Sequence, residues 1–93
     1  MREDVYGLGF KLGKSGVFSS GQIIQIQDLF FKECNTDKLL HMILKACATQ
    51  ELTVCDSLIN NLYDLEVKSN FLFGLNNGSL DKKLPTTLNG SGL

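Results

Sequence analysis

The feature that most constrains this chain is the width of the apolar surface on its two most regular helical segments. From Ile23 to Cys34, the apolar side chains spread over roughly 220° when successive residues are turned by about 100°. The segment from Leu39 to Ala48 is also apolar over much more than one stripe. A surface helix of a small domain usually buries a stripe about 100° wide. Each of these two helices is therefore expected to need more than one neighbour to cover it.

Both segments begin with residues that are typical of helix starts. Ser19 is followed three residues later by Gln22, and this spacing predicts a capping box in which each residue bonds to the backbone of the other. Asn35 or Thr36 is expected to cap the second helix. Asp37 then lies in the first turn, where a carboxylate suits the positive end of the helix dipole.

A third helix is predicted after another capping-box pattern, Thr53-Val54-Cys55-Asp56. It should run to about Val67. Its apolar residues fall on one compact face, with polar residues opposite. We expect this helix to be ordinarily amphipathic.

Two short segments alternate in a way that is typical of strands. Residues 6–12 place apolar side chains at every second position, with glycine or lysine between them, which predicts an N-terminal strand. Its apolar members are Tyr6, Leu8, Phe10 and Leu12. Residues 71–75 repeat the pattern with Phe71, Phe73 and Leu75, and predict a second strand that could pair with the first.

The sequence therefore predicts a helix-dominated α+β fold. The expected order is a short N-terminal strand, a core of three helices, and a short strand after the third helix. The alternative is an all-α domain of three helices. Residues 1–75 are expected to form the single domain, and the Asn-, Gly-, Ser- and Thr-rich residues 76–93 a flexible tail.

Charge and composition favour a globular intracellular protein. The net charge is −1, and residues 22–68 contain seven acidic residues and four lysines, a local net charge of −3. An acidic surface repels phosphate, so nucleic acid is an unlikely partner. No apolar run approaches the roughly 20 residues that span a bilayer, and no signal peptide is visible at the start, which favours the cytoplasm or nucleus. The three cysteines are expected to be reduced thiols.

No catalytic, cofactor or metal site is predicted. Gly13-Lys14-Ser15 lacks the preceding glycine that a phosphate-binding loop requires five positions earlier, where Leu8 stands. His41 is the only histidine and is expected on a helix surface. The histidine and the three cysteines lack the close pairs that structural zinc sites use. We therefore expect neither an enzyme nor a small-molecule substrate.

One resemblance suggests an alternative function. Residues 53–65, followed by residues 71–80 with Asn76-Asn77-Gly78 as a turn, resemble the closing helix and wing of winged-helix domains. The resemblance implies a regulator that binds nucleic acid. Its only available phosphate contacts are Lys11, Lys14, Lys82 and Lys83. The face that would read bases instead carries Asp56, Asn60, Asn61 and Asp64, and no arginine.

The excess of apolar helix surface favours a non-enzymatic module for protein–protein interaction or homo-oligomerisation, such as an intracellular adaptor or a regulatory dimer. Its partner would be another protein or a second copy of the chain, bound through the apolar faces of the first two helices. The expected interface residues are Ile24, Phe31, Leu40 and Leu44, with Glu33 and Lys38 at the rim.

Overall fold

The structure is a computed structural model, and it describes residues 3–83. These residues form α1 (Glu3–Ser15), α2 (Ser20–Phe31), α3 (Thr36–Thr49), α4 (Asp56–Ile59) and α5 (Leu65–Lys83). Residues 3–83 contain no β-strand, so the expected α+β architecture is wrong and both expected strands are helical. The all-α alternative has the right class for this part of the chain, but with too few helices.

The alternating residues near the N-terminus belong to α1. Leu8 and Leu12 lie one helical turn apart and are buried in the core. Tyr6 and Phe10 form a second pair one turn apart, and their stacked rings have centroids 6.2 Å apart. Apolar residues at every second position therefore make two i,i+4 pairs on a helix. The same alternation also fits one side of a strand, so the pattern alone does not separate the two structures.

The expected second strand lies within α5, and the same ambiguity explains the error. Phe71 and Leu75 lie one turn apart and are fully buried. Phe73, between them in sequence, points away from the core and is 57% exposed. In addition, α5 continues to Lys83, so residues 76–83 of the expected tail are helical. The remainder of that tail, residues 84–93, lies outside the described residues.

The helices α1 and α5 pack backbone against backbone through two pairs of glycines. A methyl group added to Gly13 would overlap the Leu75 carbonyl, and one added to Gly78 would overlap the Phe10 carbonyl. Gly9 and Gly74 are equally restricted by the opposite helix. Gly9 and Gly13 are four residues apart in α1, and Gly74 and Gly78 are four residues apart in α5, so each pair lies on one face of its helix. Only glycine permits so close an approach of two backbones.

The capping predictions for α2 and α3 are confirmed. The Gln22 backbone N–H donates to Ser19 Oγ at 3.2 Å, and the Ser19 N–H donates to Gln22 Oε1 at 2.8 Å. At the start of α3, the Lys38 N–H donates to Asn35 Oδ1 at 3.2 Å. Asn35 is therefore the N-cap, and Thr36 is the first helical residue.

The expected third helix over residues 53–67 is wrong. Only the four residues of α4 are helical before the chain turns and restarts as α5. Asp64 marks this restart, because its Oδ1 accepts a hydrogen bond of 3.0 Å from the Val67 N–H. The wing of the winged-helix resemblance is also absent from the described residues, since residues 71–80 are continuous helix.

The core is a single cluster of buried apolar side chains. Phe30 of α2 and Phe71 of α5 meet edge to face at its centre, with ring centroids 6.0 Å apart. The other side chains less than 2% exposed are Val5, Leu12, Ile26, Leu29, Leu39, Ile43, Cys47, Leu58, Val67 and Leu75. These come from all five helices, so every helix contributes to the same core.

Candidate functional site

Three large apolar side chains of α5 are open to solvent on one side of the helix, with the exposed Ser69 and Asn76 between them. Leu65, Phe73 and Leu80 are 68%, 57% and 60% exposed, respectively. At 3.6 residues per turn, the three lie within an arc of about 80°, opposite the buried residues of the same helix. We call these three residues the α5 outer face. A helix that is apolar on both sides is normally covered on both sides.

The α2 helix extends this surface at the carboxyl end of α5. Ile24 is 62% exposed and lines a groove of about 340 Å³ together with Leu80 and Asn76. Lys83 lines the same groove at the last turn of α5. The apolar surface therefore spans two helices at this end and has a cation at its edge.

At the amino end of α5, Phe31 and Tyr63 surround a buried lysine. The Lys68 Nζ lies 5.3 Å from the Phe31 ring centroid and 5.8 Å from that of Tyr63. It donates a hydrogen bond of 3.1 Å to the Phe30 carbonyl, in the last turn of α2. A cation suits this position because the carboxyl end of a helix is electronegative. Lys68 thereby holds two exposed aromatic rings beside the outer face.

The α1 helix supports Phe73 from the other side. The Phe73 ring meets the Tyr6 ring edge to face, with centroids 6.3 Å apart. Asn77, one turn further along α5, donates a hydrogen bond of 2.9 Å to the Tyr6 hydroxyl oxygen. Because Tyr6 is held by this bond, Phe73 packs against a fixed neighbour although most of its surface is open.

The six residues expected at the interface are divided between different parts of the structure. They are Ile24, Phe31, Leu40, Leu44, Glu33 and Lys38. Ile24 and Phe31 border the α5 outer face, as described above. Leu44 is exposed on α3 and Leu40, one turn earlier, is half-buried against the core. Glu33 and Lys38 are exposed near the connection between α2 and α3.

The orientation of α2 explains this division. Gln22 lines a cleft of about 260 Å³ with His41 and Lys45 of α3. Ile24 lies two residues later, about 200° further around the helix, and therefore faces α5. Thus the structure brings Ile24 and Phe31 to α5 and leaves Leu40 and Leu44 on α3. Binding through the α3 pair stays a prediction.

The polar residues considered for catalysis or ligand binding are either exposed on a helix or engaged in contacts within the fold. His41 is exposed, and the cleft beside it has no carboxylate among its lining residues. Lys14 lies in α1 and forms an ion pair of 2.9 Å with Asp81. Ser15 donates a hydrogen bond of 2.6 Å to the Leu12 carbonyl. Residues 13–15 are therefore helical and do not form a phosphate-binding loop.

The cysteines are free thiols in different environments. Cys34 is exposed, Cys55 is half-buried, and Cys47 is buried in the core. Burial raises the pKa of the Cys47 thiol above its ordinary value, with a smaller contribution from Cys55. Among the described residues, no group of three or more His, Cys, Asp or Glu side chains is arranged to hold a metal ion.

Sequence reasoning missed the α5 outer face. The signal was present in the spacing of Leu65, Phe73 and Leu80, which are eight and seven residues apart and so fall within about 80° of one another on a helix. Interpreting residues 71–75 as a strand concealed it.

No helix within residues 3–83 has the length and apolar character needed to cross a membrane.

Comparisons of the chain with protein-family models, with curated proteins and with solved structures found no match.

Proposed function

We propose that this chain is a protein-association module that docks a partner on the α5 outer face, with Ile24 and Phe31 of α2 at its edge. The single observation that carries the proposal is the exposure of Leu65, Phe73 and Leu80 on a helix whose opposite side is fully packed. Exposed apolar patches of this kind mark interaction sites in many soluble proteins.

The surface also has features that are common in protein interfaces. Its centre is an aromatic residue, Phe73, held by the Tyr6 ring. Aromatic anchors contribute much of the binding energy in such interfaces because they bury a large area with little loss of side-chain entropy. The charged residues Glu66 and Lys83 lie at opposite ends, where an interface has its polar rim.

A site-specific crosslink tests this function. A photoreactive phenylalanine analogue at position 73 should form an adduct in the cells that make the protein. The same analogue at His41, which is exposed on α3, is the matched control. Adding Leu80→Glu to the position-73 variant should remove the adduct if it forms through the outer face. The proposal fails if position 73 yields no more adduct than position 41.

A further inference from the structure

We infer that the partner on the α5 outer face is a second copy of this chain, bound with the two α5 helices antiparallel. The inference rests on the proposed function and specifies its partner. Two properties of the same surface lead to it: its apolar residues are arranged symmetrically, and its charged ends are opposite in sign.

The symmetry is centred on Phe73. Leu65 precedes it by eight residues and Leu80 follows it by seven. A two-fold axis at Phe73 therefore places Leu65 of one copy near Leu80 of the other, and brings the two Phe73 rings together. At about 1.5 Å per residue, this apolar stretch is about 22 Å long. Each of the three apolar residues then lies near an apolar residue of the other copy, and Ser69 of one copy comes near Asn76 of the other. The surface is therefore self-complementary, as an isologous interface requires.

The charges favour the antiparallel direction. Glu66 borders the outer face at the amino end of α5, and Lys83 borders it at the carboxyl end. Of the other two charges at the carboxyl end, Asp81 is paired with Lys14 and Lys82 lies against Gly16 of α1. In an antiparallel pair, the acidic end of each helix meets the basic end of the other, and the helix dipoles also oppose. A parallel pair would bring like charges together at both ends. The arrangement thus selects one direction for the second copy.

The adjoining helices fit this arrangement. Ile24 lies beside Leu80 in the α2–α5 groove, and Phe31 and Tyr63 flank Lys68 near Leu65. When Leu80 of one copy approaches Leu65 of the other, it brings Ile24 towards that aromatic pair. The interface would therefore extend beyond a single pair of helices, as a stable dimer needs.

Sedimentation equilibrium of the whole chain, from low to high micromolar concentration, is the primary test. The wild-type chain should dimerise, and Phe73→Glu should weaken the dimer at least tenfold. His41→Glu, at an exposed residue of α3, is the control and should leave the dimer unchanged. Circular dichroism should show that each variant stays helical. If Phe73→Glu unfolds the chain, Leu80→Lys replaces it with the same expected result.

Charge reversals test the direction. Lys83→Glu alone and Glu66→Lys alone should each weaken the dimer severalfold at low salt, and an equimolar mixture of the two variants should restore it. Added salt should reduce these differences. Single reversals that leave the dimer unchanged, or strengthen it, would exclude the antiparallel arrangement.

The results separate this inference from the proposed function. A wild-type chain that stays monomeric over the whole concentration range overturns the second copy as partner. If position 73 then crosslinks to a different protein, and Leu80→Glu removes that adduct, the proposed function survives with another partner. Equal weakening by Phe73→Glu and His41→Glu would show that the dimer does not form through the α5 outer face.

Discussion

The Lys68 ammonium group donates a hydrogen bond of 3.1 Å to the Phe30 carbonyl, and so fastens α5 to the last turn of α2. The lysine is only 9% exposed, and its Nζ also lies over the Phe31 ring. One side chain therefore satisfies a carbonyl at a helix end and fixes an aromatic ring at the edge of the proposed docking surface.

Replacing this lysine should destabilise the fold. Lys68→Met keeps most of the apolar stem but removes the donor, and should lower the free energy of unfolding by about 1–3 kcal/mol. Urea unfolding followed by circular dichroism measures the change. Lys38→Met, at an exposed lysine, is the control and should change stability little. Equal effects of the two substitutions would contradict a structural role for the Lys68 contact.

The glycines of α1 provide a second prediction with an internal control. Gly13→Ala would force the backbones of α1 and α5 apart, and should cost about 1–3 kcal/mol or more. Gly7→Ala lies in the same helix, and nothing lies within 4 Å of the added methyl group. It should instead stabilise the protein by about 0.5–1 kcal/mol, because alanine favours helix more than glycine does.

Thermal and urea unfolding of Gly13→Ala and Gly7→Ala measure these changes in stability. The essential result is the opposite sign of the two changes. Stabilisation by both substitutions would contradict the close backbone contact between α1 and α5 at Gly13.

Stability should fall at alkaline pH because of Cys47. Burial raises the pKa of this thiol above its ordinary value of 9.0. Below that pH the thiol is protonated in both the folded and the unfolded chain, so its contribution to stability is fully present. As the pH rises further, the unfolded chain releases the proton first, and stability falls until the folded thiol also ionises.

The measurement is the free energy of unfolding from neutral to alkaline pH under reducing conditions. Cys47→Ala should be less stable at neutral pH because it leaves a small cavity, and its stability should decline less steeply as the pH rises. Parallel curves for the variant and the wild type would show that the buried thiol does not contribute to the alkaline loss.

The capping box of α2 gives a fourth prediction. Ser19→Ala removes the Oγ that accepts from the Gln22 N–H and should lower stability by about 1 kcal/mol. Ser20→Ala, at the first residue of the helix, is the neighbouring control and should have little effect. The two variants can be compared by their urea midpoints. A larger loss of stability in Ser20→Ala than in Ser19→Ala would show that Ser19 is not the N-cap of α2.

Local sequence determined where α2 and α3 begin. Ser19 with Gln22, and Asn35 before α3, make hydrogen bonds within one turn of the chain, so their effect does not depend on distant residues. The wide apolar arcs of these helices predicted more apolar surface than one buried stripe, and Ile24 and Phe31 of α2 and Leu44 of α3 are exposed in the structure.

Tertiary structure decided the conformation of the segments that contain Tyr6 to Leu12 and Phe71 to Leu75. Their alternating residues suit a strand with one apolar side as well as a helix with two, and only the packing partner distinguishes these possibilities. That partner is the other segment of the pair, where Gly9 meets Phe71 and Gly74 meets Tyr6. Glycine has a low helix propensity, but here the close packing of two backbones outweighs it, and this gain exists only once both helices are in contact.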